Sequence, residues 1–128
     1  MQIEPLDIEL SVCKVIDYSQ VDMSTEFCFT GKTDVENSLV CPTDVVPDNT
    51  IDRDDGWKAM RIYGTLDFSL IGILSGISTE LARHGIGIFA ISTFNTDYIL
   101  VKENDFAKSQ EFLKKKGYSS YHEKCKNM

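Results

Sequence analysis

The strongest constraint on the fold is an apolar stripe of helical spacing that ends at a glycine. The stripe consists of Leu70, Ile73, Leu74, Ile77 and Leu81. Gly85 follows it. Spacing of this kind places apolar side chains on one face of a helix, and a glycine just after the last turn is typical of a helix C-terminus. The pattern predicts a helix over Phe68–His84 whose apolar face packs against another layer.

Strands and a second helix are predicted around this helix. They are a strand over Trp57–Tyr63, a strand over Ile86–Ile91, a strand over Tyr98–Glu103, a helix from Asn104 or Asp105 to Lys116 that ends at Gly117, and a short strand over Gly117–Tyr121. Because Ile86–Ile91 is apolar on both faces, we expect a central strand. The order strand, helix, strand, strand, helix, strand is typical of the ferredoxin-like βαββαβ fold, with two helices on one face of an antiparallel sheet. The predicted fold class is therefore α+β.

The first half of the chain has the pattern of strands with little helix. Leu6–Ile16 alternates, so that Ile8, Leu10 and Val12 share one face and Asp7, Glu9 and Ser11 share the other. Phe27–Thr30 and Ser38–Cys41 predict a hairpin. We expect two related modules, a reduced, strand-rich one over residues 1–55 and a complete one over residues 56–128.

Charge and composition exclude several classes of function. The 128 residues carry a formal net charge of -7, which disfavours nucleic acid because its binding depends on Lys and Arg. The basic run Lys114–Lys116 fits the end of a helix, where cations complement the dipole. The apolar stretch Leu66–Ser78 is too short to span a bilayer. With no signal-peptide pattern at the N-terminus, a cytoplasmic protein without membrane contact is expected.

The cysteine and histidine pattern predicts neither a metal site nor a disulfide framework. Cys13, Cys28, Cys41 and Cys125 form no C-x-x-C pair, and no histidine stands at metal-ligand spacing. Cys13, Cys28 and Cys41 lie in apolar runs, where a thiol acts as a small hydrophobe. No metal and no cofactor are expected.

Two segments have more polar residues than a scaffold requires. Gly64–Ser69 joins a predicted strand to the long helix, where free N–H groups favour a carboxylate or phosphate; Asp67 or Ser69 serving only as a helix cap is the competing interpretation. Ser92–Tyr98 joins two predicted strands. Its residues favour either a plain turn or a polar clamp in which Ser92 and Thr93 hydroxyls and the Asp97 carboxylate hold a cation and Phe94 forms an apolar wall.

The predicted topology brings these two segments together. If the strand before the long helix neighbours the Ile86–Ile91 strand, both segments lie at the same edge of the sheet. Asp67 and Asp97 would then share one site. Two acids beside helix-end N–H donors suit a ligand that carries both a carboxylate and a cation, which is an amino acid.

The sequence also resembles a known family. Gly64–Phe106 contains GTLDFSLIGIL and then IFAISTFNTDYILVK, and Ser38–Pro47 reads SLVCPTDVVP. These segments resemble small proteins with two tandem ACT-like modules, and the eukaryotic cytosolic arginine sensors look like more distant relatives. The resemblance implies ACT modules, regulatory domains that bind amino acids and usually pair, so that a homodimer is expected.

The resemblance also implies a set of ligand-binding residues. Gly64 and Asp67 match the strand-to-helix turn that holds the ligand in the arginine sensors, and Thr93, Phe94 and Asp97 match their second ligand segment. The predicted site is Gly64, Asp67, Phe68, Ser69, Thr93, Phe94 and Asp97. The first module departs from the family pattern because its first helix is nearly missing.

Two other classes of function are kept as alternatives. Gly72 and Gly76 lie off the apolar stripe, which fits either close approach of a partner backbone or packing of the helix on its own sheet. A small enzyme on a ferredoxin-like fold is the less favoured alternative, because no nucleophile and base stand at a recognisable spacing. The expected function is that of a non-catalytic, amino-acid-binding regulatory protein with no catalytic residues.

Overall fold

The computed structural model describes residues 2–63 and 72–120 and has a mixed α+β composition. Its elements in chain order are β1 (Gln2–Val15), β2 (Phe29–Lys32), β3 (Asn37–Pro42), β4 (Thr50–Tyr63), α1 (Ile73–Arg83), β5 (Phe89–Ser92), β6 (Asp97–Lys102), α2 (Glu103–Lys115) and β7 (Ser119–Ser120). They form two units. The helical unit comprises Met1–Asp7 with Lys58–Met128, and the strand unit comprises Ile8–Trp57. None of the helices described is long and apolar enough to cross a membrane.

The strands of the helical unit are neighbours in the order β7, β1, β4, β6, β5. β7 pairs with β1 in parallel, and β5 pairs with β6 antiparallel. An α+β fold with two helices is therefore confirmed. The ferredoxin-like order and the tandem arrangement of modules stay predictions.

The prediction of a central strand over Ile86–Ile91 is wrong. β5 begins only at Phe89, is last in the strand order and is half exposed. Its neighbour is β6, and it is β6 that lies beside β4. Ile86 and Ile88 pack in the hydrophobic core before the strand begins. The first part of the apolar run therefore packs against the core between α1 and β5 and does not pair with a strand.

The helices pack on a shared apolar core in the helical unit. Its buried members are Ile3, Met60, Ile62, Ile77, Leu81, Ile86, Ile99, Val101 and Leu113. Ile73 and Leu74 pack against it, which confirms the predicted apolar face of α1 from Ile73 onward. Burying one Leu or Ile side chain of this kind contributes about 1.5–3 kcal/mol.

Both helices end in the same backbone motif. After α1, Gly85 has φ +73°, its N–H donates to the Ala82 carbonyl oxygen, and the Ile86 N–H donates to the Leu81 carbonyl oxygen at 3.0 Å. After α2, Gly117 (φ +99°) and the residue that follows it repeat this pattern. This is the Schellman motif, in which a left-handed residue satisfies the last helical carbonyls. The two glycine stops predicted from the sequence are thus confirmed.

The helix starts differ from the prediction. α1 begins at Ile73, and Gly72 before it has φ +90°, a left-handed conformation. Phe68, where the sequence predicts the helix to start, lies outside the described residues. α2 begins at Glu103, and no side chain caps it. Asn104 and Asp105 lie inside its first turn, where an acid such as Asp105 complements the dipole without capping.

The strand unit is organised around β1 and a hairpin. β2 pairs with β3 and β3 pairs with β1, both antiparallel. Cys13, Val15, Leu39 and Cys41 form its buried core. Burial raises the pKa of the Cys41 thiol to about 12 and also raises the pKa of Cys13. These thiols stay protonated at neutral pH and pack as small hydrophobes, as their apolar sequence context indicates.

The predicted polar face of β1 is only partly exposed. Ser11 is 0 % exposed, whereas Val12, predicted on the apolar face, is only half-buried. The Ser11 hydroxyl is 2.9 Å from Thr43 Oγ1 and donates to Asp55 Oδ1 at 2.6 Å. Because its hydroxyl is hydrogen-bonded, Ser11 can be buried in the strand unit. The alternation of polar and apolar residues did not indicate this burial.

Replacing the glycine after α1 tests the helix-end motif. Gly85→Ala is expected to lower the free energy of unfolding by about 1–2 kcal/mol, since an alanine at φ +73° is strained. The control is Gly87→Ala, because Gly87 has an ordinary φ and no atom within 4 Å of the added Cβ. Urea denaturation measures both. Equal stability of the two variants would contradict the assignment.

Candidate functional site

Three of the predicted site residues lie on the β5–β6 hairpin. Thr93 and Phe94 are in the turn, and Asp97 begins β6 opposite Ser92. The other four predicted residues, Gly64, Asp67, Phe68 and Ser69, lie outside the described residues.

The hairpin turn is closed by hydrogen bonds from Thr93. Its N–H and its hydroxyl both donate to the Thr96 carbonyl oxygen, at 2.8 and 2.9 Å. The Thr93 hydroxyl proton is therefore used inside the turn. The Thr93 oxygen can still accept a hydrogen bond through a lone pair. The side chain therefore suits a ligand group that donates a hydrogen bond better than one that accepts.

A second threonine attaches the turn to β4. The Thr96 hydroxyl donates to the Ile62 carbonyl oxygen at 2.7 Å, and Thr96 is buried. Ile62 stands two residues before Gly64 in the chain. This bond links the turn of one predicted segment to the strand that leads into the other. The sequence pattern gave no sign of it, because the bond joins residues 34 positions apart.

Phe94 and Asp97 differ in their surroundings. Phe94 is 94 % exposed at the tip of the turn. Asp97 is half-buried. The polar clamp and the plain turn are both compatible with these surroundings, so the ligand-binding role of the two residues stays a prediction.

A charged group that sequence reasoning missed lies beside Tyr98. Arg61 donates to Glu4 Oε1 through Nη2 at 2.8 Å and through Nε at 3.1 Å, and its Nη1 donates to the Tyr98 hydroxyl at 3.3 Å. Glu4 is 7 % exposed. Since the two charges satisfy one another, we interpret them as a structural pair. Glu4 and Arg61 are 57 positions apart, so no local pattern indicates the pair.

A second charged cluster joins the two helices. Glu80 accepts contacts from His84 at 3.1 Å, Arg83 at 3.7 Å and Lys116 at 3.7 Å. The His84 ring stacks on Phe112 with the ring centres 3.6 Å apart. His84 and Lys116 thus pack α1 on α2. Among the described residues, no group of three or more His, Cys, Asp or Glu side chains is placed to hold a metal ion.

Of the two glycines Gly72 and Gly76, packing within the chain explains Gly76. A Cβ on Gly76 would lie 3.2 Å from the Tyr118 hydroxyl, so this glycine makes room for the chain's own tyrosine. A Cβ on Gly72 would meet nothing within 4 Å. Packing within the helical unit therefore accounts for Gly76 without a partner.

The strand unit contains an open cavity of about 680 Å³. It lies between the middle of β1, the segment before β2 and the 3-10 turn Thr43–Val45. Phe27 lines it and has φ +59°, a rare conformation for a bulky residue. No motif in the sequence predicted this cavity, because its wall combines residues from three separate segments.

The Thr96 bond can be tested by removing its hydroxyl. Thr96→Val is expected to cost about 1–2 kcal/mol of unfolding free energy, because the Ile62 carbonyl loses a donor. Thr96→Ser keeps the hydroxyl and should lose less. Chemical denaturation compares the two. A valine variant as stable as the serine variant would show that the bond does not hold the turn.

Comparison with known proteins identifies the family. The ACT domain family matches residues 52–115. An Agobacterium tumefaciens protein of known structure is 29% identical, with a TM-score of 0.81 over 94% of this chain and 91% of its own. A Vibrio cholerae protein of unknown function, described as a possible transport protein, is 17% identical, with a TM-score of 0.70 over 89% of this chain and 88% of its own.

Aspartokinases share the fold at lower identity. The structure of aspartokinase alpha and beta subunits is 14% identical, with a TM-score of 0.63 over 90% of this chain and 96% of its own. No curated protein matches the chain by sequence. The family match covers half of the chain and includes β4 from Asp52 onward, both helices and the hairpin with its candidate residues. The chain therefore belongs to the ACT domain family.

Proposed function

We propose that this chain is a non-catalytic regulatory protein that binds an amino acid. The site would combine the Gly64–Ser69 segment with Thr93, Phe94 and Asp97 on the β5–β6 turn. The observation that carries the proposal is the 2.7 Å bond from Thr96 to Ile62, because it attaches the turn to β4, the strand that precedes Gly64 in the chain.

Each part of the site has a distinct role in this proposal. The Asp97 carboxylate pairs with the ligand's ammonium group, and the Thr93 lone pair accepts from the same group. Backbone N–H groups of Gly64–Ser69 receive the carboxylate, with Gly64 allowing close approach of the ligand. Asp67, Phe68 and Ser69 complete that side. Phe94, exposed without a ligand, covers the apolar part of the ligand.

A regulatory role without catalysis is supported by the family and by the chemistry of the chain. ACT domains are regulatory, and a Clostridium acetobutylicum aspartate kinase of the same fold is described as an allosteric enzyme. The buried thiols of Cys13 and Cys41 are poor nucleophiles because burial raises the pKa of each. An interaction module without a ligand is less supported, because Tyr118 accounts for Gly76.

The site proposal predicts separate effects on affinity and stability. A thermal-shift screen of the proteinogenic amino acids identifies the ligand, which at a hundred times its Kd should stabilise the fold by about 2.7 kcal/mol. Asp97→Asn should then weaken binding by more than about tenfold, because a charged partner is lost, and leave the melting temperature of the free protein unchanged. Glu111→Gln, which removes an exposed charge from α2, is the matched control.

Two results would count against the site. If no amino acid raises the melting temperature, the ligand class is wrong. If Asp97→Asn lowers the melting temperature but leaves the affinity unchanged, Asp97 is a turn former and does not bind the ligand.

We further propose that the protein is a cytoplasmic homodimer built from a reduced ACT-like module, residues 1–55, and a complete one, residues 56–128. Support comes from the family, in which pairing of modules is common, and from β5, a strand at the end of the described order where another strand can add. Light scattering should give about twice the 14.5 kDa chain mass. A single-chain mass at high concentration would contradict the dimer.

A further inference from the structure

The cavity of the strand unit has walls of two kinds. Ile8, Phe27, Pro42 and Val45 give it apolar surface, and Glu9, Glu26 and Asp44 give it carboxylates. Among the residues that the structure describes, no lysine, arginine or histidine lines it. Its volume of about 680 Å³ lies within the roughly 300–1,000 Å³ of small-molecule sites.

The hydrogen-bonding character of Thr43 follows from its partners. Ser11 has one hydroxyl proton and donates it to Asp55 Oδ1. Asp55 also accepts from Arg53 Nε at 3.1 Å. Thr43, 2.9 Å from Ser11, must therefore donate its own proton to the Ser11 oxygen. This leaves the Thr43 oxygen as an acceptor only, like the carboxylates on the same wall.

We propose that this cavity is a second ligand site that binds a small organic amine, a primary ammonium group with an apolar chain or ring. The ammonium group has three N–H donors, and it donates to acceptors from the set of three carboxylates and the Thr43 oxygen. Phe27, Ile8 and Val45 cover the apolar part. The lining side chains include no cation to hold a carboxylate, so the site favours an amine over the corresponding amino acid.

The unusual backbone of Phe27 fits this role. A left-handed conformation is costly for an aromatic residue, and such positions persist where the surrounding structure enforces them. Here it belongs to a residue whose side chain forms part of the cavity wall. The conformation adds to the proposal, which rests on the cavity and on a polar lining that has three carboxylates and no cationic side chain among the described residues.

The inference is independent of the amino-acid site on the β5–β6 turn. That site lies in the helical unit and needs donors for a carboxylate, whereas the cavity belongs to the strand unit and offers acceptors. Amide resonances distinguish the two. Ligand at the turn shifts Thr93–Asp97, and ligand in the cavity shifts Thr25–Phe27 and Thr43–Val45.

Three matched probes test the ligand class by NMR titration of the full chain. Phenethylamine carries the ring and the ammonium group, phenylalanine adds a carboxylate, and 3-phenylpropionate replaces the ammonium group by a carboxylate. Phenethylamine is expected to shift the cavity amides at the lowest concentration, phenylalanine only weakly, and 3-phenylpropionate not at all. Equal shifts from all three probes, or none at millimolar phenethylamine, would overturn the proposal.

Two double variants distinguish binding in the cavity from nonspecific attraction of the amine to a negatively charged protein. Glu26→Gln with Asp44→Asn removes two carboxylates from the cavity and should raise the Kd for phenethylamine about tenfold. Asp34→Asn with Glu36→Gln removes the same charge from the β2–β3 connection, outside the cavity lining, and should leave the Kd within about twofold. All four residues are exposed, so both variants are expected to fold, which thermal melting checks. Equal weakening by both variants would show that phenethylamine follows the net charge of the protein.

Discussion

The helical unit depends on one requirement, that α1 and α2 bury their apolar faces on the same strands. Ile77, Leu81 and Leu113 are almost completely inaccessible and pack with Met60 and Ile99. The chain turns back immediately after the last turn of each helix. Gly85 and Gly117 provide that turn and direct Ile86 and Tyr118 into the same core, so the helix ends and the packing are parts of one arrangement.

The candidate functional features are placed by polar contacts that span long sequence separations. Thr96 attaches the hairpin turn to β4, and Ser11 links Thr43 to Asp55 in the strand unit. Buried polar groups of this kind need partners, which makes their positions specific where apolar packing alone tolerates small shifts. The turn and the cavity wall are thus built on satisfied hydrogen bonds rather than on loop sequence alone.

Local patterns in the sequence predicted the elements that local forces determine. The two glycines predicted the C-terminal ends of α1 and α2, alternation located β1, and two short strand-like runs located the β2–β3 hairpin. Patterns failed where tertiary contacts decide. Ile86 was predicted to be a strand residue but lies in the core just after the end of α1. Ser11 was predicted on the polar face of β1 but is buried, with its hydroxyl hydrogen-bonded.

The candidate site was predictable only in part for the same reason. The excess of polar residues over Ser92–Tyr98 located the turn, and the family resemblance selected Thr93, Phe94 and Asp97. Neither could indicate that the Thr93 proton is used within the turn, since that depends on the hairpin geometry. The cavity of the strand unit left no sequence signal, because Glu9, Glu26 and Asp44 meet only after folding.

The residues of the charge cluster between the helices differ in how well they tolerate substitution. Glu80 accepts contacts from Arg83, His84 and Lys116, so the loss of one partner leaves two contacts, whereas the loss of Glu80 removes all three. Arg83 and Lys116 are each replaceable with little loss, because the remaining cation still neutralises the buried acid. A neutral residue at position 80 removes every contact of the cluster at once, so it is tolerated only if the helix surfaces around it change together.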